Sequence, residues 1–179
     1  SNKRLQTLIR HLADYAEVGL HPSYGARTSF SQLEKEIFRL SPILKKEITQ
    51  SRQHFLQLQF PKTYRNLIDL DVLNDYTMGY ASHYGFRSGI CTPYFFYDLD
   101  LEIETNLTIH SFAVMDSTLQ YYMGVKPADA LEHYKKLVDE VKKVNGTFIS
   151  TWHNDSLSDE GIWKGWKDVF EKLIAYGTQ

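Results

Sequence analysis

Five side chains stand out by type and setting: His21, Arg52, His54, Asp116 and His153. His21 closes the run Val18-Gly19-Leu20, Arg52 and His54 close the segment after a helical stripe, Asp116 closes Phe112–Met115, and His153 closes Thr147–Trp152. Imidazoles with a carboxylate are the ligand set of a catalytic Zn²⁺-type site, which keeps one position open. A metal held in that way lowers the pKa of bound water to about 7 and polarises a carbonyl. An imidazole outside the ligand set could protonate a leaving group. A lone histidine at a strand end ordinarily just bonds to backbone. Coincidence of several at such ends is what gives them meaning as a cluster. His11, His83, His110 and His133 lack this placement, and His11 and His133 read as helix-surface residues.

The elements that would position these groups follow from periodicity. Leu5, Leu8, Ile9 and Leu12 fall on one helical face, with no cap apparent before them. That start suggests that a segment precedes the chain. Val18–Leu20 reads as a short buried strand. Ser31-Gln32-Leu33-Glu34 is a capping-box pattern opening a second helix, with Leu33, Ile37, Leu40 and Leu44 as its stripe and Pro42 expected to kink or divide it. A polar strand over Ile48–His54 and a short helix over Pro61–Leu70 follow. From Asn74 to Asp116 the helical period gives way to two or three strands, of which Leu107–Met115 is the clearest. The alternating acids of Asp98–Glu104 read as an exposed strand or loop edge, with an acidic metal loop as the alternative. Pro127 opens a helix that Asn145-Gly146 ends, Thr147–Trp152 is a strand, and Trp163, Trp166, Phe170, Leu173 and Ile174 mark a last amphipathic helix. Helices alternating with short strands predict an α/β fold with a largely parallel sheet, and periodicity does not separate an open sheet from a barrel. In such folds the C-terminal strand edges converge on the face that holds the active site. The five residues are therefore expected at one rim.

Composition narrows the function classes. The 179 residues carry 20 Lys+Arg against 22 Asp+Glu, a net charge of −2, which argues against a nucleic-acid binder held by a general basic field. Apolar residues at 42% suit one globular domain over 1–179. The single cysteine, Cys91, rules out an internal disulfide framework. No apolar run approaches the roughly 18 residues of a membrane span. No signal-peptide core follows the first residues, so the default expectation is the cytoplasm.

Glu17-Val18-Gly19-Leu20-His21, Ser51-Arg52-Gln53-His54-Phe55 and Ser150-Thr151-Trp152-His153 resemble, in order and rough spacing, the later motifs of the polysaccharide deacetylases with the NodB homology domain. The stretches Asp75–Tyr80, Gly85–Gly89 and Pro93–Asp98 look like a bacterial branch of deacetylase-like proteins. The resemblance implies a partial or distorted (β/α) barrel with mostly parallel strands, its first strand outside the chain, so that 1–179 is the C-terminal portion of the domain. It also implies hydrolysis of acetyl groups on N- or O-acetylated polysaccharide, with a divalent metal such as zinc held by an Asp and two His. Carried over, His21 is a metal ligand, Arg52 braces the catalytic carboxylate and His153 is the general acid. The family's Asp pair on the first strand has no counterpart here. The position of its second metal His is Gly25, and His54 stands where a Pro is expected and could supply that ligand. Thr151 replaces a Leu, which makes the acetyl pocket more polar. Asp116 could orient His153 from behind.

Two other readings compete. One is a non-catalytic glycan-binding module in which Tyr94, Trp152 and neighbouring aromatics stack on sugars. The other is an assembly domain, since a vacant strand slot would favour a homodimer.

Overall fold

The computed structural model describes residues 2–178. They form two compact units, 2–77 with 94–109 and 78–93 with 110–178, taken here in turn.

The first unit opens with α1 (Lys3–Ala13) and α2 (Phe30–Leu44). Contrary to the sequence expectation, α1 is capped: Asn2 Oδ1 accepts from the backbone N–H of Arg4 and Leu5 at 3.0 and 3.3 Å. Its leucine face is also not core, for Leu5, Leu8 and Leu12 are all exposed. The cap of α2 is Ser29, whose hydroxyl accepts from Gln32 N–H, rather than Ser31. Leu33 and Ile37 bury its stripe, and Pro42 does not divide the helix. It lies in the last turn, where little ladder remains to break.

A four-stranded sheet follows, built from β1 (Gln50–Ser51), β2 (Asn74–Asp75), β3 (Tyr94–Asp98) and β4 (Ile103–Ile109), with α3 (Lys62–Ile68) between β1 and β2. Its order is β1-β2-β4-β3. β1 with β2 and β2 with β4 are parallel, and β3 with β4 is an antiparallel hairpin. The expected strand at Val18–Leu20 is reduced to one parallel bridge, Leu20 to Ser51. Gly19 makes that approach possible, since a Cβ there would lie 2.8 Å from Gln50 O. Residues 99–104 are exposed, as expected for that stretch, but Asp98 is not. It is 1% exposed, and Arg65 grips it with Nε at 2.6 Å and Nη2 at 2.7 Å.

The second unit holds β5 (Val114–Met115), a π-turn at Thr118–Tyr122, α4 (Pro127–Lys143), β6 (Ser150–Thr151) and α5 (Trp166–Gly177). β5 and β6 pair in parallel. The predicted strand Leu107–Met115 is thus two strands. Its alternation persists, but the hydrogen bonds change partner: Phe112 N–H donates to Met78 O and Ala113 N–H to Ile149 O. Periodicity reports faces, not partners. Ala113, Val114, Leu119, Tyr134, Val138, Trp166 and Leu173 form the core under α4 and α5.

The result is a mixed α/β protein whose strand pairs are mostly parallel, and neither ladder closes on itself. No helix among the described residues is long and apolar enough to cross a membrane.

Candidate functional site

In the first unit, His21 follows the Leu20 bridge directly, and two backbone bonds fix it: Leu20 N–H to Gln50 O at 2.8 Å and Arg52 N–H to Leu20 O at 3.0 Å. His21 Nδ1 lies 2.7 Å from the Arg52 carbonyl oxygen. A carbonyl only accepts, so Nδ1 carries the proton and Nε2 presents a lone pair. His54 Nδ1 sits 3.0 Å from that Nε2 and therefore donates to it. Two imidazoles thus converge at a spacing close to that of two nitrogen ligands on one divalent ion, about 3.3 Å for tetrahedral zinc. The Nδ1–H to carbonyl bond is also how a metal-bound histidine is usually oriented. The pair fits such an ion as two of three protein ligands, provided the His54 proton moves to Nε2. Among the described residues, no group of three or more His, Cys, Asp and Glu side chains gathers as a metal site.

The backbone after His54 is unusual. Phe55 and Leu56 have φ of 54° and 52°, a region that side chains other than glycine seldom occupy. Phe55, 70% exposed, is pushed outward, edge-on to His54 at 4.4 Å and to Tyr24 at 6.0 Å. An aromatic shelf therefore flanks the histidine pair.

Behind the shelf is a buried polar network. Arg52 donates from Nε to Tyr76 O at 3.1 Å. Burial holds its pKa below the usual arginine value, against the pull of Asp75. Asp75, the last residue of β2, is fully buried and accepts from Thr77 N–H at 3.0 Å and Thr77 Oγ1 at 2.6 Å. Burial pushes its pKa up to about 6, outweighing the hydrogen bonds from Thr77 and Tyr64 and the Arg52 charge. Thr77 Oγ1 also accepts from Gln53 N–H at 2.9 Å, which ties the peptide between Arg52 and His54 to Asp75.

In the second unit, Asp116 follows β5 and His153 stands two residues past β6. Parallel pairing of the two strands brings them together. Asp116 Oδ1 accepts from His153 Nδ1 at 2.7 Å and from Ser117 N–H at 2.5 Å, and Oδ2 accepts from His153 N–H at 2.7 Å. Burial alone would raise the Asp116 pKa. The His153 side-chain and backbone hydrogen bonds reverse that and hold it below the usual carboxylate range. Asp116 is fully buried, whereas His153 is half exposed. With Nδ1–H committed to the carboxylate, an exchangeable second proton of this ring sits on Nε2.

Tyr94 opens β3 half-buried, opposite Ile109 in the ladder. Trp152 is half-buried and stacks on Tyr134 at 5.5 Å, with Phe170 and Trp166 edge-on. The structure therefore brings His21, His54 and the Arg52 backbone together in one unit, and Asp116, His153 and Trp152 in the other. Sequence reasoning missed Asp75, Thr77, Tyr24 and Phe55. The Asp75-x-Thr77 spacing, which suits a carboxylate capping its own turn, was the available signal.

No family model matches the sequence, and no curated protein matches it. Among solved structures, the chain is similar to one from Mycobacterium smegmatis described as a "putative polysaccharide deacetylase". The TM-score is 0.68 at 17% identity, over 96% of this chain and 60% of that one. At that identity the likeness shows the fold, and this chain spans three-fifths of the other protein's length.

Proposed function

We propose that residues 1–179 form the C-terminal portion of one deacetylase-like domain, a distorted (β/α) barrel, in a metal-dependent hydrolase that removes acetyl groups from N- or O-acetylated glycan. The observation that carries the reading is the Asp116–His153 pair, a buried carboxylate fixing a half-exposed imidazole. The fold likeness and the His21–His54 pair support it. His21 and His54 would hold a divalent ion, zinc by donor type, with the third ligand a carboxylate from outside this chain. When bound, that ion supplies Lewis-acid polarisation of an acyl carbonyl and acidifies water. His153 donates its Nε2 proton to the departing amine or alcohol, and Asp116 stabilises the ring through the transfer. Arg52, held by the Tyr76 carbonyl and the Asp75 field, braces the site carboxylate. Tyr94, Trp152, Tyr24 and Phe55 supply aromatic surface to sugar rings.

The test is metal content and acetate release in the intact protein. His21→Ala and His54→Ala should each lower zinc affinity at least about tenfold. His153→Ala should keep the metal and lose about 10²–10⁴ in rate. Bound metal and acetate release unchanged in both ligand variants would overturn the assignment.

The exposed Tyr24–Phe55 shelf also favours a second reading, a glycan-binding module without catalysis. Oligosaccharide binding that survives chelator and is indifferent to His153→Ala would select it.

A further inference from the structure

Helix α1 carries an apolar row that its own unit leaves uncovered. Leu5, Leu8 and Leu12, spaced three and four residues apart, are each more than half exposed. Gln6, Ile9 and Ala13 are its part-buried side, and α2 is the helix it packs on. Tyr15 follows the helix, exposed, with its ring edge-on to His11 at 5.1 Å. The charges of α1 are of one sign. Lys3, Arg4 and Arg10 are exposed, and no Asp or Glu lies within Lys3–Ala13, in a chain whose net charge is −2. Among the described residues none of the three forms an ion pair. α2 beside it is balanced, Glu34 and Glu36 against Lys35 and Arg39, so the neighbouring helix does not cancel that charge. Arg4 and His11 stand one turn to either side of Leu8, whereas Lys3 and Arg10 hold the far side of the helix.

We propose that α1 is an interfacial anchor, lying flat on an anionic phospholipid bilayer with Leu5, Leu8 and Leu12 sunk to the acyl boundary and Lys3, Arg4 and Arg10 drawn to the lipid phosphates. Its 11 residues are too few to span a bilayer, which takes about 20. One apolar face with cations on the rest is the pattern of helices that lie in the membrane plane. The helix is about 10 Å across, so even the far-side charges come within about one Debye length of the surface. The methylene stem of Arg4 can follow the leucines inward while its guanidinium stays among the headgroups. Tyr15 adds a ring with an apolar body and a polar tip, which suits the same depth. A second copy of the chain is the poorer occupant. Pairing the leucine rows of two α1 helices would crowd the cations of both, with no acid on either helix to offset them. The row is also shorter than the three or more heptads that sustain a coiled coil.

This anchor stands apart from the deacetylase reading and does not need it. The test is flotation of the intact protein with vesicles. Binding to phosphatidylcholine mixed equally with phosphatidylglycerol should be at least about tenfold tighter than to phosphatidylcholine alone, and should weaken steeply between ~0.1 M and ~1 M salt. Lys3→Gln, Arg4→Gln and Arg10→Gln together should cost at least about tenfold on the mixed vesicles. Leu5→Gln, Leu8→Gln and Leu12→Gln together should cost as much, and that loss should persist at low salt. All six side chains are exposed, so both variants should fold, which far-UV circular dichroism checks. The charge variant carries the test if the leucine variant does not fold. An intact protein that ignores the mixed vesicles, or binding that the charge variant leaves unchanged, would overturn the proposal. So would a dimer that the leucine variant dissolves in a protein indifferent to vesicles, since the row would then belong to a second copy.

Discussion

Asp75 ends β2 in the first unit and Asp116 follows β5 in the second, and neither carboxyl exposes any surface. Burial raises the pKa of both. In Asp75 burial prevails and the pKa climbs to about 6, whereas in Asp116 it is overcome and the pKa falls. The difference lies in the donors. Asp75 takes hydrogen bonds from Thr77, two positions on, and from Tyr64, and the Arg52 charge adds to them. Asp116 takes two backbone N–H groups and an imidazole that itself reaches solvent. The pKa of a buried carboxylate is therefore the balance between burial, which raises it, and the donors around it, which lower it, and the depressed value of Asp116 suits orienting a proton donor.

The strongest way to break this contrast is to remove the Asp116 acceptor. Asp116→Ala leaves the N–H groups of Ser117 and His153 without their buried partner. The cost should be about 3 kcal/mol at pH 7, from two stranded backbone donors plus a small cavity. A pKa depressed in the folded state contributes stability that is present above the unfolded value and is lost as pH falls through the folded one. The gap between the two proteins should therefore narrow in acid. Urea unfolding at pH 7 and pH 3 measures both, and a gap that widened at pH 3 would show that the Asp116 pKa is not depressed.

Asp75 should behave with the opposite sign. Its folded pKa is raised, to about 6 from 3.8, so its protonated form is favoured by folding. That contribution is fully present below the unfolded value and disappears as pH rises through about 6. A shift of roughly two units corresponds to on the order of 3 kcal/mol lost between pH 4 and 7, an upper bound because Arg52 and Thr77 can relax around the charge. Asp75→Asn should flatten that part of the stability profile. Urea midpoints at half-unit pH steps give the answer, and identical slopes for the two proteins between pH 4 and 7 would contradict the raised pKa.

These two carboxylates also show what the sequence makes legible. Asp116 and His153 could be singled out because each follows an apolar run, and parallel strands place such residues at one edge. His21 and His54 were found in the same way, although their strands shrink to a bridge and a two-residue ladder. Asp75 entered only as the start of the Asp75–Tyr80 stretch, with no role, because the polar sequence around it does not signal burial, which comes from β1 and β4 on either side. The exposed leucines of α1 failed for the converse reason: a helical stripe reports that a face is apolar, not that something covers it. The break at residues 110–113 was invisible because both partners of the chain there accept the same alternation. Phe55 could not be foreseen as an outward shelf, because a positive φ on phenylalanine is imposed by its surroundings.

The mildest perturbation separates the two ends of the Asp116–His153 bond. His153→Ala removes one of the bonds that lower the Asp116 pKa but leaves both backbone donors in place. The ring is half exposed, and water replaces much of what it loses, so the stability cost at pH 7 should stay below about 1 kcal/mol. The Asp116 carboxyl should nevertheless titrate at higher pH than in the unaltered protein, because burial then meets less opposition. Carbon-13 NMR of the Asp116 carboxyl follows that midpoint directly. An unchanged midpoint would mean that the backbone donors alone keep Asp116 ionised, and the contrast with Asp75 would then rest on main-chain geometry rather than on the histidine.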